Sequence, residues 1–299
     1  MAVQGLTKAK IVVAVAVLLS LLLSLIVPGA ARAAPLDRSS APAAQSTGEG
    51  YWMAGWDGGV FSFGSARFFG SIPGRPRTDP IVGMAATADG GGYWLVASDG
   101  GVFSFGNAGF HGSAGNIALA MPIVGMARTP DGAGYWLAAS DGGIFSYGDA
   151  RFFGSMGGRH LAQPIVGIAA TADGRGYWLV AADGGVFSFG DAKFFGSMGG
   201  RMLARQIMGM AATPDGAGYW LVGLDGGIFT YGDAKFFGSA GGGYHGEGFI
   251  GMLPTPSGLG YWLPNDGGGL FIYGDAQLVG SCVSSPVNCG GIVAMASSG

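Results

Sequence analysis

The stretch from Pro122 to Ser155, P-I-V-G-M-A-R-T-P-D-G-A-G-Y-W-L-A-A-S-D-G-G-I-F-S-Y-G-D-A-R-F-F-G-S, decides the fold because close copies of it fill most of the chain. Its tripeptide G-Y-W recurs at intervals of 42 residues, with the tryptophan at Trp52, Trp94, Trp136, Trp178, Trp220 and Trp262. Such uninterrupted spacing indicates six equal structural units, each packed on a similar neighbour.

Each copy divides into short β segments separated by turn residues. In the quoted copy we predict strand A at residues 123–128, strand B at 135–139, strand C at 144–147 and strand D at 151–153. The Asp-Gly combinations between these segments supply the positive φ that tight hairpins need. A four-stranded antiparallel meander of about 40 residues has the size of one propeller blade.

The two ends of the repeat region predict a closed ring. The first copy enters at strand B, with Gly50-Tyr51-Trp52, and its missing strand A appears at the C-terminus as I-V-A-M-A, residues 292–296. Pairing of these two strands would remove the exposed edges of an open array. We therefore predict an all-β fold: a six-bladed β-propeller of four-stranded antiparallel blades over residues 49–299, closed by the C-terminal strand against the first blade. Strand A then begins near Ile81, Ile123, Ile165, Ile207, Phe249 and Ile292.

Residues 1–33 have the pattern of a signal peptide. Lys8 and Lys10 precede an apolar run at 11–27, and Ala31-Arg32-Ala33 fits a cleavage site. The alternative is an uncleaved anchor, because this run is close to the shortest that spans a bilayer. Residues 34–48 are Pro/Ala/Ser-rich and predict a flexible linker. With no second long apolar run, we expect no membrane span after cleavage and a secreted protein, either free or associated with the cell wall.

A resemblance supports export. The runs Y-W-L-V-A-S-D-G-G-V-F-S-F-G (Tyr93–Gly106) and G-D-A-K-F-F-G-S (Gly190–Ser197) resemble a β-propeller repeat of secreted actinobacterial proteins. Copies of that repeat stand alone or beside hydrolase and cell-wall-active domains. The resemblance covers about residues 49–299; it implies export and architecture, and it assigns no activity and no catalytic residues.

Composition excludes several classes of protein. Of 299 residues 62 are glycine, yet no G-X-Y triplet runs through the chain, which excludes collagen. Aromatic and aliphatic residues are too plentiful for a disordered chain. The formal net charge is −3, and it becomes −6 once residues 1–33 are removed, so no nucleic-acid partner is expected. A monomer is expected.

Repetition also bears on the chemistry of single residues. The six tryptophans are sugar platforms or packing residues, and a side chain that recurs in every blade favours packing. The repeated aspartates are Ca²⁺ ligands or turn residues, and their position beside glycine favours turns, so no metal or cofactor is expected. Asp149, Asp191 and Asp233 each stand two residues before a basic residue, which predicts local charge compensation.

Catalytic residues are hard to find in this sequence. The mature chain has two glutamates, Glu49 and Glu247, so a glycosidase would need an aspartate pair instead. A Ser–His–acid hydrolase would depend on His111, His160 or His245, and His111 replaces a repeated phenylalanine as a packing residue. In an exported chain the closely spaced Cys282 and Cys289 predict a disulfide. A binding module is therefore favoured over an enzyme.

Antiparallel blades place A–B and C–D turns at one end, and B–C turns with the blade-to-blade connections at the other. Repetition breaks down mainly in the connections, and variable loops on a rigid scaffold often carry recognition. The predicted ligand-binding residues are Arg75, Arg77, Arg159, His160, Arg201, Arg205, Tyr244, His245 and Glu247, with the off-repeat Trp56. The expected partner is a glycan or another envelope polymer. The alternatives are a polysaccharide-active enzyme and a scaffold that meets envelope proteins.

Overall fold

A computed structural model describes residues 49–72, 79–242, 247–284, 289 and 291–299. Across these ranges the chain forms β-strands and one short 3₁₀ helix, Cys282–Ser284, and no helix there is long and apolar enough to cross a membrane. The predicted signal peptide, 1–33, and the linker, 34–48, lie outside the described residues.

The strands form six antiparallel sheets of three strands, each with the G-Y-W strand in the middle. The middle strands, which correspond to strand B, are β1 (Gly50–Gly55), β4 (Gly92–Ala97), β7 (Gly134–Ala139), β10 (Gly176–Ala181), β13 (Gly218–Gly223) and β16 (Gly260–Pro264). The inner strands, which correspond to strand A, are β3 (Ile81–Ala86), β6 (Ile123–Arg128), β9 (Ile165–Ala170), β12 (Ile207–Ala212), β15 (Leu253–Pro254) and β18 (Ile292–Ser297). The outer strands, which correspond to strand C, are β2 (Val60–Gly64), β5 (Val102–Gly106), β8 (Ile144–Gly148), β11 (Val186–Gly190), β14 (Ile228–Gly232) and β17 (Leu270–Gly274).

The closing strand lies where the sequence predicts it. β18 pairs antiparallel with β1, with Tyr51 opposite Ser297 and Met53 opposite Met295. The first sheet, blade 1, is therefore β18-β1-β2, and blades 2–6 follow in chain order. Five inner strands (β3, β6, β9, β12 and β18) and residues 250–252, which precede β15, line a central channel of about 150 Å³, mostly with glycine, methionine, valine and isoleucine residues.

The middle strands supply the core between blades. Successive side chains of a middle strand point to opposite neighbours. In blade 3, Tyr135 and Leu137 pack toward blade 2, while Trp136 and Ala138 pack toward blade 4. All six repeated tryptophans are at most 2% exposed. Each lies 5.2–6.0 Å, between ring centroids, from the repeated tyrosine of the next blade, and Trp262 meets Tyr51 to complete the circle. The tryptophans are packing residues, as the repetition predicts.

The prediction of a fourth strand is wrong. The segment at 151–153 and its five counterparts make no ladder with the outer strand. Side chains satisfy their backbone groups instead: the indole N–H of Trp136 donates to the carbonyl of Arg151 at 2.7 Å. From the next blade, the Tyr177 hydroxyl donates to the Gly154 carbonyl at 2.6 Å and accepts from the Phe153 N–H at 3.2 Å. The Arg151 and Gly154 carbonyls and the Phe153 N–H are thus satisfied without a ladder.

Blade 6 departs from the pattern in its inner strand, predicted to begin near Phe249. Phe249 forms only an isolated bridge with Asn265, and the regular strand β15 has two residues. Pro264 takes the place of Val222 in the middle strand and has no N–H to donate to the inner strand. Its carbonyl still accepts from the Ile250 N–H at 3.1 Å, so the segment stays in place without a full ladder.

Candidate functional site

The ring has two ends with different chemistry. On one end, here called the A–B face, the A–B turns lie beside the start of the outer segment, which is the extended chain that follows strand C (residues 149–155 in blade 3). The Asp149 N–H, for example, donates to the Ala133 carbonyl at 3.2 Å. On the other end, the B–C face, each blade-to-blade connection starts against a B–C turn, as where the Met156 N–H donates to the Gly142 carbonyl at 2.9 Å. This division of the turns is the one that the sequence predicts.

The A–B turn is a rigid Thr-x-Asp-Gly unit. In blade 3 the Thr129 hydroxyl donates to Asp131 Oδ1 at 2.8 Å and accepts from the Gly134 N–H at 3.0 Å. Asp131 Oδ1 also accepts from the Ala133 N–H at 3.1 Å, and Gly132 has a φ of 73° that favours glycine. These bonds hold the second carboxylate oxygen at the surface, because the first is occupied by the turn.

That surface oxygen faces a polar side chain from the start of the outer segment of the same blade. In blade 2 the amide of Asn107 donates to Asp89 Oδ2 at 2.7 Å. In blade 6 the roles are exchanged: the turn residue is Ser257, and its hydroxyl donates to Asp275 Oδ2 at 2.5 Å. In blades 3, 4 and 5 both members are carboxyl groups that lie close enough to influence each other: Asp131 with Asp149, Asp173 with Asp191, and Asp215 with Asp233.

In blades 4 and 5 the two carboxyl groups of a pair have pKa values that are shifted in opposite directions. Burial, together with the hydrogen bond and the charge of Asp173, raises the pKa of Asp191 above its usual range. Hydrogen bonds from the Arg175 N–H and the Thr171 hydroxyl lower the pKa of Asp173. Blade 5 repeats this division, with the pKa of Asp233 raised and that of Asp215 lowered. These aspartates therefore face one another, and the prediction that Asp149, Asp191 and Asp233 compensate the bases that follow them is wrong. The described ion pair of this face, Asp173 with Arg175 at 3.8 Å, involves a different base.

A groove opens beside the carboxyl pair of blade 4, at the junction with blade 5. Between blades 4 and 5 it measures about 350 Å³ and is lined by Asp173 and Asp191 of one blade and Asp215 of the next, with Trp178 and Phe195 along its wall. Lys193 adds a cation at the rim. Within the described ranges no three acidic, His or Cys side chains are placed to hold a metal ion.

The same groove recurs between blades 2 and 3 with altered lining. It measures about 290 Å³ and contains Asp89, Asn107 and Trp94 of blade 2 and Asp131 of blade 3. Gly109 stands where the groove above has Lys193, so this copy has no cation at that position. Sequence reasoning missed these grooves as sites, although one signal was present: the two paired positions recur 18 residues apart, as in Asp131 and Asp149.

The predicted ligand-binding residues are spread along the B–C face. Arg159 and His160 lie on the connection from blade 3 to blade 4, Arg201 and Arg205 on the next connection, and all four are exposed. Glu247 lies over Gly267 in the B–C turn of blade 6. Arg75, Arg77, Tyr244 and His245 lie outside the described residues. The described members therefore belong to separate blade junctions and do not converge on one cluster.

Trp56 is the one aromatic residue of that set in the described chain. The Trp56 side chain is 47% exposed, as its off-repeat position predicts. The backbone N–H of Trp56 donates to the Gly291 carbonyl at 3.0 Å. Its indole covers Gly291, where there is no room for a side chain. Trp56 is thus held against the segment that leads into β18.

Two smaller predictions are confirmed. Cys282 and Cys289 form a disulfide, with their Cα atoms 5.6 Å apart, and both are buried. His111 packs in the place of the repeated phenylalanine, 6.3 Å from Trp94 and 5.6 Å from Tyr135 between ring centroids. Its Nε2 lies 3.2 Å from the Gly132 carbonyl, so it has a structural partner.

Comparison with known proteins supports the fold. No family model matches the chain, and no curated protein matches it. Among solved structures the chain is similar to the β-propeller domain of Cps50 (Swd1) from Myceliophteria thermophila, at 12% identity and a TM-score of 0.53, over 81% of this chain and 84% of that one. Likeness at this level of identity shows a β-propeller and carries no function.

Proposed function

We propose that this β-propeller is an exported, non-enzymatic module that binds glycan at the cell envelope through the grooves between its blades. The observation that carries the proposal is the recurring groove lined by paired side-chain oxygens, as in Asp173 and Asp191, with the partly exposed Phe195 on its wall between blades 4 and 5. Export is supported by the signal-like residues 1–33 and by the Cys282–Cys289 disulfide, which is typical of oxidising compartments.

The lining suits a sugar more than other ligands. Neighbouring hydroxyl groups of a sugar ring are donors, and the surface oxygens of Asp173 and Asp191 are acceptors. The partly exposed Phe195 offers apolar surface for the C–H groups of the ring. Three acids and one lysine line the groove, so a neutral or amine-bearing glycan fits better than an anionic polymer.

Repetition implies multivalent binding. Grooves of about 290 and 350 Å³ lie on the same face at different blade junctions, so one polymer chain can engage more than one of them. Each groove is shallow and holds few groups, which favours weak single contacts. Linked contacts raise the overall affinity by about 10²–10⁴ without new chemistry. We therefore expect polymers to bind much more tightly than their short oligosaccharides.

The test compares the two faces. Asp131, Asp173 and Asp215 are replaced by Asn in one variant, and Arg159, Arg201 and Tyr244 by Ala in a matched control on the B–C face. Binding is measured by co-sedimentation with a β-glucan, a poly-N-acetylglucosamine and an anionic polyuronate. We expect the wild type and the control to bind a neutral glycan and the Asp variant to lose this binding without a fall in melting temperature.

The other results would decide among the alternatives. Loss of binding only in the Arg159/Arg201/Tyr244 variant would move the site to the B–C face and contradict the groove assignment. New reducing ends on any of these glycans would show a polysaccharide-active enzyme. Recovery of envelope proteins without glycan would favour a protein-interaction scaffold.

A further inference from the structure

The central channel opens on the A–B face through a wider mouth. The mouth measures about 440 Å³, within the range of small-molecule sites. Met84, Pro214, Pro254 and Met295 contribute apolar surface to it from four different blades. Met84 and Met295 also line the narrower channel beneath, so the two spaces share a wall. The mouth shares Thr87 and Ala88 with the groove between blades 2 and 3, and it shares no lining residue with the groove between blades 4 and 5.

One cation stands in this apolar mouth. Arg128 is the one charged side chain among the described residues that line it. It ends β6, opposite Tyr135, and the equivalent positions opposite the repeated tyrosine are small or uncharged: Ala86, Ala170, Ala212, Pro254 and Ser297. The position therefore has no need of an arginine for packing, since five blades fold without one.

The guanidinium of Arg128 is half-buried, and the described hydrogen bonds use only one of its nitrogen atoms. Its described hydrogen bonds both come from Nη1, to the Thr129 carbonyl at 2.9 Å and the Pro130 carbonyl at 2.8 Å. Burial lowers the pKa of Arg128, and the Asp131 carboxylate opposes this effect. A guanidinium carries five N–H donors in a planar fork that matches a carboxylate, so donors remain for an anion from the mouth.

We propose that the mouth is a binding site for one small amphipathic carboxylate, whose headgroup bonds to Arg128 and whose apolar part lies against the methionines and prolines. The charge selects an anion, and the partly desolvated position strengthens a charge-assisted hydrogen bond. The apolar lining selects a hydrocarbon or aryl tail over a hydrated ion, because burial of that tail is favourable in proportion to its area. One mouth per ring sets the stoichiometry at one ligand per chain.

Calorimetry with octanoate and its uncharged analogue octanamide tests this site on the whole mature protein. The wild type is expected to bind one octanoate per chain, at least about tenfold more tightly than octanamide. Arg128→Ala reproduces the residue of three other blades and so should fold normally. It should remove the preference for octanoate and leave octanamide binding unchanged, and Arg128→Lys should retain part of the preference.

Controls separate this site from the grooves. Arg175→Ala removes an exposed arginine from the same face, outside the mouth, and should leave octanoate binding as in the wild type. Asp173→Asn with Asp191→Asn should do the same, because this proposal does not rest on the glycan grooves. Failure of the wild type to bind octanoate, unchanged binding by Arg128→Ala, or several octanoates per chain would each overturn the proposal.

Discussion

At the scale of single residues, the repeated tyrosine joins neighbouring blades by its ring and its hydroxyl together. All six hydroxyls donate to a glycine carbonyl of the preceding blade at 2.5–2.6 Å. Burial raises the pKa of Tyr51, which joins the last blade to the first, to about 12. The hydroxyls therefore stay protonated, and remain donors, over the physiological range of pH.

Tyr177→Phe tests this bond. The change leaves the Gly154 carbonyl and the Phe153 N–H without their partner, and we expect a loss of about 1–3 kcal/mol in the free energy of unfolding. Tyr147→Phe is the matched control, because the equivalent residues of three blades are already phenylalanine: Phe63, Phe105 and Phe189. Denaturant unfolding should show the control within about 0.5 kcal/mol of the wild type. Equal losses in both variants would contradict the role of the bond.

The carboxyl pairs predict a pH effect. Folding raises the pKa of Asp191, so protonated Asp191 contributes to the free energy of unfolding. This contribution is fully present below the ordinary Asp pKa and is lost as the pH rises through the raised pKa. At neutral pH two carboxylates then face each other. Asp191→Asn supplies a donor, as Asn107 does for Asp89 in blade 2, and should raise the melting temperature at neutral pH.

This gain should shrink as the pH falls, since protonated Asp191 is itself a donor. Asp183→Asn makes the same change of charge in the B–C turn of that blade, where Oδ1 accepts from the Gly185 N–H at 2.9 Å and either residue can accept. Thermal unfolding across the acidic range should show no such pH-dependent gain for this control. A gain of equal size in both variants would point to net charge alone.

At the scale of the element, the outer segment of each blade is extended chain that lacks a ladder. Residues 151–155 connect to the rest of blade 3 through the Trp136 indole and to blade 4 through the Tyr177 hydroxyl. Middle strands such as β7 pair on both sides and are buried along their whole length. Local opening is therefore expected to begin at the outer segments.

Hydrogen exchange measures this difference. We expect amides of the middle strands to exchange slowest and those of residues 151–155 fastest within each blade. The Phe153 amide is the exception, because it donates to the Tyr177 hydroxyl. Its protection should fall in Tyr177→Phe and stay unchanged in Tyr147→Phe. Uniform protection across the outer segment would indicate a fourth ladder strand after all.

At the scale of the whole molecule, stability depends on a contact between the two ends of the repeat region. β18 supplies the inner strand of blade 1, and Ile292 packs in the same cluster as Trp262 and Tyr51. The Cys282–Cys289 disulfide belongs to that cluster and precedes β18 by a few residues. The junction of blades 6 and 1 is thus held by a ladder, an apolar cluster and a covalent bond.

Removal of residues 292–299 should abolish cooperative unfolding, because blade 1 loses its inner strand and the channel one side of its wall. Replacing both cysteines by alanine is the milder comparison: a crosslink over so short a loop contributes about 2–3 kcal/mol. Calorimetry should show a lowered but single transition for the cysteine variant. A truncated protein that unfolds as cooperatively as the wild type would contradict the importance of this closure.

Local patterns were sufficient to predict the repeat, the positions of strands A, B and C in every blade except the inner strand of blade 6, and the strand that completes blade 1. Each depends on residues close in sequence, such as the Asp-Gly turns around Tyr135–Ala139, and on a register that the period of 42 residues repeats. The strand order could be predicted for the same reason, since consecutive antiparallel strands pair with their neighbours.

Only the tertiary structure decided whether segment D (the outer segment) forms a strand, which carboxyl groups pair and where Arg128 lies. Segment D resembles a strand in sequence, but Trp136 and Tyr177, from two different blades, take up its backbone groups. Asp173 meets Asp191 because the A–B turn and the start of the outer segment fold onto one face. Arg128 lines the mouth because five blades bring their ends around it. Each of these outcomes depends on groups that are distant along the chain, and a repeat pattern read along one copy contains no information about such contacts.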